Sequence, residues 1–212
     1  MKFAAEAVGV VVPFLVVSVT AWLIGLATRS AVSIYVGGIA ALVGLVLLMF
    51  FRDPERHPPE GNGLVVSPAD GKVIVVESLP DDRKHIAIFL SVFDTHVNRV
   101  PIGCVVTEVA PTPGSYFHAG TSRAAEGNAR VDVKAESSFG SVGWRQLSGS
   151  IARKISCRLK PGDSMQTGQR FGLIYFGSRM DVYLPSTAHM TVKPRQRVLA
   201  GESVIARFEG DE

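Results

Sequence analysis

At 212 residues, 47% hydrophobic and with a positive mean hydropathy of +0.25, the chain is too apolar to be soluble throughout, yet long enough for one well-filled core. Its 22 Lys and Arg against 19 Asp and Glu give a net charge of +3, without the concentrated basic footprint of a nucleic-acid binder. Cys104 and Cys157 stand alone with no CxxC partner, which argues against a disulfide framework or a structural zinc site and makes a reducing compartment the default.

The apolar excess lies at the start. Residues 1–51 carry only Lys2, Glu6 and Arg29 as charges. Two apolar runs, Ala7 to Ala27 and Ala31 to Phe51, are each long enough to cross a bilayer core of ~30 Å as a helix. Thr28-Arg29-Ser30 between them suits a tight turn. A cleaved signal peptide fits poorly, because the apolar region is long and a second span follows at once. Ala40-x-x-x-Gly44 and Gly37-x-x-x-Ala41 offer a small-residue face against which the first helix can pack. Arg52 and Arg56 follow the second span, against Arg29 alone in the turn. The positive-inside bias therefore places the rest of the chain in the cytoplasm.

Residues 52–62, rich in charge and proline, read as a linker, and 63–212 as a β-rich domain. Expected strands are Leu64–Val66, Lys72–Leu79, His85–Val92, Cys104–Val109, Ala129–Ala135, Phe171–Phe176, Asp181–Leu184 and Val198–Phe208. Ile151–Leu159 fits a short helix or a strand, and Ala119–Asn128, small and polar, a mobile loop. A faint repeat runs from Lys160-Pro161-Gly162-Asp163 through Thr167-Gly168-Gln169 to Leu173-Ile174. It recurs 33 residues later from Lys193-Pro194-Arg195-Gln196 through Ala200-Gly201-Glu202 to Val204-Ile205. Small barrels of the biotinyl- and lipoyl-carrier type use this grammar of turn, spacer, turn and strand. The expected fold is a small barrel or sandwich with such hairpins, behind a transmembrane helical hairpin.

Phe171 to Tyr175 is an apolar run that ends in Phe176-Gly177-Ser178, and Arg179 to Leu184 is strand-like again. On its own a Gly-Ser pair is a bend or bulge. Glycine also reaches backbone geometry closed to other residues and lets a neighbouring hydroxyl approach its carbonyl. The company of this pair is distinctive: Phe51-Arg52-Asp53-Pro54, Ser67-Pro68-Ala69-Asp70-Gly71-Lys72, Phe93-Asp94-Thr95-His96-Val97-Asn98-Arg99-Val100-Pro101 and Pro113-Gly114-Ser115-Tyr116-Phe117-His118. In that order, and over nearly all of the chain beyond residue 51, these stretches resemble the phosphatidylserine decarboxylases, in particular their short membrane-anchored form.

The resemblance implies a cofactor made from the chain itself. Ser178 attacks the Gly177 carbonyl, and the ester is eliminated to leave a pyruvoyl group on a small subunit, residues 178–212, beside a large subunit, residues 1–177. No metal and no pyridoxal phosphate is expected, since a Schiff base to the ketoacyl carbonyl takes up the charge of decarboxylation. The implied substrate is phosphatidylserine in the bilayer, or its archaetidyl equivalent, and a homodimer is plausible. Asp70 and His96 match family motif positions and are expected to assist cleavage, His96 also supplying the proton to Cα. Longer members carry a second histidine where this chain has Arg99. Arg99, His118, Arg179 and Lys72 are candidates for holding substrate, with Arg123 a further candidate for its phosphate. The competing reading is a membrane-tethered carrier or interaction module, but no Met-Lys-Met-like acceptor tip is present.

Overall fold

A computed structural model describes residues 2–150, 154–175 and 177–209. The chain divides into two compact units, Met1–Glu55 and Arg56–Glu212.

The first unit is a helical hairpin, α1 (Ala7–Thr28) and α2 (Ala31–Phe50), with a short antiparallel ladder of β1 (Lys2–Phe3) and β2 (Arg52–Asp53) at its base. Both helices are long and apolar enough to cross a bilayer. The turn forms because Arg29 takes a left-handed φ of 54° and the Ser30 side chain caps α2 by accepting from the Ser33 amide. Gly37, Ala40 and Gly44 are buried against α1, as the small-residue spacing predicts. A Cβ on Gly37 would stand 2.2 Å from Trp22, so the close approach requires glycine there. That approach admits two polar contacts, Ser18 Oγ–H to the Gly37 carbonyl (2.9 Å) and Trp22 Nε1–H to the Ile34 carbonyl (3.1 Å).

The second unit is mainly β, as expected. Its strands are β3 (Leu64–Val66), β4 (Gly71–Ser78), β5 (Lys84–Leu90), β6 (Val97–Arg99), β7 (Cys104–Thr112), β8 (Arg130–Ser137), β9 (Gly140–Leu147), β10 (Ile155–Cys157), β11 (Ser164–Met165), β12 (Arg170–Ile174), β13 (Ser178–Leu184), β14 (His189–Met190), β15 (Arg197–Val198) and β16 (Val204–Arg207). An eight-stranded sheet runs β11-β7-β8-β9-β13-β5-β4-β15, and two three-stranded sheets run β10-β12-β6 and β14-β16-β3. One apolar cluster joins them, with Val65, Ile88, Val100, Trp144, Phe171, Ile174, Met180 and Ile205 among its members.

Strands β6, β9 and β11 are not among those expected, and three of the stretches read from the sequence take another form. The run at 151–159 contains strand β10, with residues 151–153 outside the described residues. Val198–Phe208 is not one strand, because a turn with Gly201 at φ 76° separates β15 from β16. The 119–128 loop contains a helical turn, α3 (Ser122–Gly127), pinned by Asn128. The Asn128 side chain accepts from the Phe117 amide (2.7 Å) and donates to the carbonyls of Phe117 (2.8 Å) and Ser148 (2.7 Å).

Candidate active site

Ser178 opens β13, opposite Leu90 of β5. Alternation along a strand puts Ser178 on the same face as Met180, Val182 and Leu184, all turned into the core. The serine is 0% exposed, and its hydroxyl has no hydrogen-bond partner among the described residues. Gly177 before it has φ 64°, in the left-handed region where a side chain would be strained. A buried hydroxyl without a partner is costly, so such a group marks a functional position more often than a packing one.

His96 is also fully buried. Its Nδ1–H donates to the Asp94 main-chain carbonyl at 2.8 Å, which in the neutral ring leaves Nε2 with the basic lone pair. The His96 carbonyl accepts from the Ile174 amide (3.3 Å), on the strand that runs on to Gly177. Asn98, in β6 two residues beyond His96, accepts through Oδ1 from the Gln146 side-chain amide at 2.8 Å. Gln146 pairs with Met180, two residues beyond Ser178 on its inward face. The Asn98–Gln146 contact thus links the stretch just after His96 to the strand beside β13 in one interior region. That region also holds Asn98 Nδ2 and Gln146 Oε1, both buried and without partners among the described residues. The open Asn98 Nδ2 donor suits a carbonyl oxygen, such as that of a ketoacyl terminus, whereas the Gln146 Oε1 acceptor suits a donor.

Asp70 sits in a buried ion pair. Its carboxylate accepts from Arg56 in a bidentate contact (3.2 and 2.9 Å) and from the Ala200 amide (2.7 Å), while Arg56 also pairs with Glu202 (2.9 Å). Asp94 supplies the orienting oxygen of His96 instead. That oxygen belongs to the Asp94 main chain, so no side-chain pattern in the sequence announces it.

The remaining candidates separate by face. Cross-strand register aligns Arg197, Lys72, Phe89, Arg179 and Leu147 in one row on the face of the sheet opposite Ser178. His118 stacks on Phe89 with ring centroids 5.3 Å apart, so Lys72, Arg179 and His118 meet around that ring. Lys72 and His118 are exposed; Arg179 is buried and donates through Nε to Asp181 at 2.6 Å. Arg123 lies over the Phe117 ring at 4.1 Å. Arg99 is buried elsewhere and donates to the Gly168 carbonyl at 3.0 Å, anchoring a turn. On the outer face His85 joins Glu77 (2.8 Å) and Asp181 (3.6 Å). Burial lowers its pKa, but the carboxylates of Asp181 and Glu77 beside the ring outweigh that and hold it above the ordinary value of 6.5. An open groove of about 460 Å³ lined by Arg83, Asp132, Arg145 and Tyr183 lies on this face and includes neither Ser178 nor His96. Among the described residues no cluster of three or more His, Cys, Asp or Glu is arranged to hold a metal ion.

Fold and site together define a β-rich domain carried behind two bilayer-length apolar helices and built around an interior Gly-Ser junction. Residues 43–206 match the family profile for phosphatidylserine decarboxylase. The phosphatidylserine decarboxylase proenzyme of Nitratidesulfovibrio vulgaris is 41% identical over 197 residues, covering 87% of this chain and 90% of the relative. Those of Chlorobium chlorochromatii (43% identical, 81% and 83% covered) and Pelobacter propionicus (42%, 84% and 84%) are similarly related. The chain belongs to the phosphatidylserine decarboxylase family, a family of carboxy-lyases.

Proposed function

We propose that the chain is a self-cleaving decarboxylase that removes the serine carboxylate from a membrane phospholipid at the bilayer surface. It acts on phosphatidylserine, or on archaetidylserine in an archaeal host. The observation that carries this reading is the buried Ser178 hydroxyl, without a partner among the described residues, directly after a left-handed glycine in a member of this family.

Serine at its free pKa is a weak nucleophile, and a base that accepts its proton activates it. His96, with Nδ1–H committed to the Asp94 carbonyl, is that base through Nε2. As the Ser178 Oγ–C bond to the Gly177 carbonyl forms, the C–N bond breaks and the nitrogen takes the proton, turning the amide into an ester. Loss of the Ser178 Cα proton then breaks the Cβ–O bond. Gly177 leaves as a carboxylate, and water displaces ammonia from the rearranged residue to leave a ketoacyl terminus on residues 178–212. That terminus, held at the start of β13, would supply an electron-withdrawing carbonyl able to condense with the substrate amine, with loss of water, and to stabilise the negative charge left by decarboxylation. His96 returns a proton to Cα. Lys72 and His118, exposed around Phe89 on the other face of the sheet, offer polar contacts to anionic headgroups of the surrounding lipid, and Arg179 lies in the same row. Asp70 keeps the turn at residues 199–203 in place through Ala200. The helical hairpin tethers the domain to the bilayer, on the cytoplasmic side by the charge bias.

The test is turnover in vesicles. The purified protein is expected to release carbon dioxide and accumulate phosphatidylethanolamine, and Ser178→Ala is expected to stay one chain and to do neither. Decarboxylation by Ser178→Ala would refute the reading.

A further inference from the structure

Between β5 and β6 the chain makes a tight turn at Ser91–Asp94, closed by the Asp94 amide donating to the Ser91 carbonyl at 3.0 Å. The Asp94 carboxylate ties the turn a second time, accepting from the Ser91 amide (2.8 Å) and the Ser91 hydroxyl (2.7 Å). Its other oxygen pairs with Arg197, whose side chain is 70% exposed. The two corner positions of this fastened turn are Val92 and Phe93. Turn corners favour Gly, Pro, Asn, Asp and Ser, so two large apolar residues break the local rule. They are also in the open: Val92 is 36% and Phe93 83% exposed, and Phe93 is the most exposed large apolar side chain of the second unit among the described residues. The turn lies one residue past Leu90, the strand partner of Ser178, and two residues ahead of His96.

We propose that the Val92–Phe93 tip is a bilayer-inserting wedge that seats the reaction site on the lipid headgroup layer. This rests on the reading above that the substrate is a membrane lipid. The occupant is the boundary between headgroups and acyl chains, for three reasons on the molecule itself. The hairpin of two bilayer-length helices keeps the domain beside a membrane. An aromatic tip flanked by an exposed arginine has the chemistry of an interfacial anchor, ring in the acyl boundary and guanidinium among phosphates. Beside the tip, the Arg197–Lys72–Phe89 row offers cations to the same headgroup layer. A two-chain lipid leaves its bilayer rarely, so a site that reaches into the surface gains access that a merely tethered one lacks.

The test uses the full chain in phosphatidylcholine vesicles containing phosphatidylserine. In Phe93→Cys carrying an environment-sensitive fluorophore, emission is expected to be quenched by brominated lipid and shielded from aqueous iodide. Phe93→Ser is expected to self-cleave normally and to act normally on monomeric short-chain phosphatidylserine, while turnover of long-chain lipid in vesicles falls about tenfold. Phe93→Leu retains that turnover. Quenching by iodide, or unchanged vesicle turnover in Phe93→Ser, overturns the proposal. So does shielding from iodide without quenching by brominated lipid, which means a second copy covers the tip. A wild-type protein that neither cleaves nor decarboxylates refutes the proposed function, and the quenching result still decides insertion independently.

Discussion

The catalytic unit contains two interlocked copies of one device, and comparing them separates scaffold from chemistry. The Val66 amide donates to the Pro101 carbonyl (2.8 Å), and the Arg99 amide, 33 positions later, returns the bond to the Pro68 carbonyl (2.9 Å). Val73 donates to Gln196 and Val106 to Asp163, both at 2.9 Å; Arg195 donates back to Val73 and Gly162 to Val106, both at 2.8 Å. Gly201 reaches the Ser67 carbonyl as Gly168 reaches that of Val100, again at 2.8 Å each. The backbones are thus equivalent, and the side chains are not. Where Asp70 accepts from the Ala200 amide, the matching bond runs the other way, with the Thr167 hydroxyl accepting from the Gly103 amide at 2.9 Å. One copy received a buried charge and its partner Arg56, the other a neutral hydroxyl. Only the second copy's strand, β12, runs on to Gly177 and Ser178. A duplicated frame holds the domain together, and the Gly177-Ser178 junction is a single addition to one arm of it.

The largest expected break in this symmetry is at Asp70. Asp70→Ala leaves the nearly buried Arg56 facing Glu202 alone and is expected to cost about 3 kcal/mol, whereas Thr167→Ala costs about 1 kcal/mol. Thermal unfolding in detergent compares the two, and equal losses would contradict the asymmetry. A smaller effect separates both copies from the sheet that links them. Because the pKa of His85 is raised in the folded protein, its contribution is fully present below the ordinary value of 6.5 and is lost as pH rises through the raised value. Melting temperature should therefore decline across that window in the native protein and less so in His85→Gln. The smallest effect restores symmetry: Arg195 holds φ 74° where its counterpart is Gly162 at 94°. Arg195→Gly is expected to stabilise by about 0.5–1 kcal/mol, since strain relief exceeds the added chain entropy. A loss of stability there would count against the equivalence.

Much of this was legible in the sequence. The two apolar runs define α1 and α2 to within a residue at each end, because nothing else in the chain competes with their length. The turn repeat at 160–174 and 193–205 was visible through its glycines, while the interlocking stretches at 64–73 and 97–106 share few residue types, Pro68 with Pro101 and Val73 with Val106, and match each other chiefly in their backbone bonds. Strand β9 was missed because its inward Val142, Trp144 and Gln146 alternate with small and charged residues that dilute the apolar signal. The helical turn α3 depends on Asn128 bonds to Phe117 and Ser148, which no local pattern encodes. At the candidate site, Ser178 and His96 are proposed from their motifs, and both are buried. The partner of Asp70 lies in a stretch read as linker, and the oxygen that orients His96 belongs to the main chain, to which side-chain patterns are blind.

The central claim is that the peptide bond between Gly177 and Ser178 is broken by the serine itself. The mass of the denatured, purified protein tests it most directly. The account predicts two fragments, residues 1–177 and 178–212, the smaller lighter by one ammonia than a fragment beginning with serine. A single unbroken chain in active material, or a small fragment with a free serine amine, would contradict it.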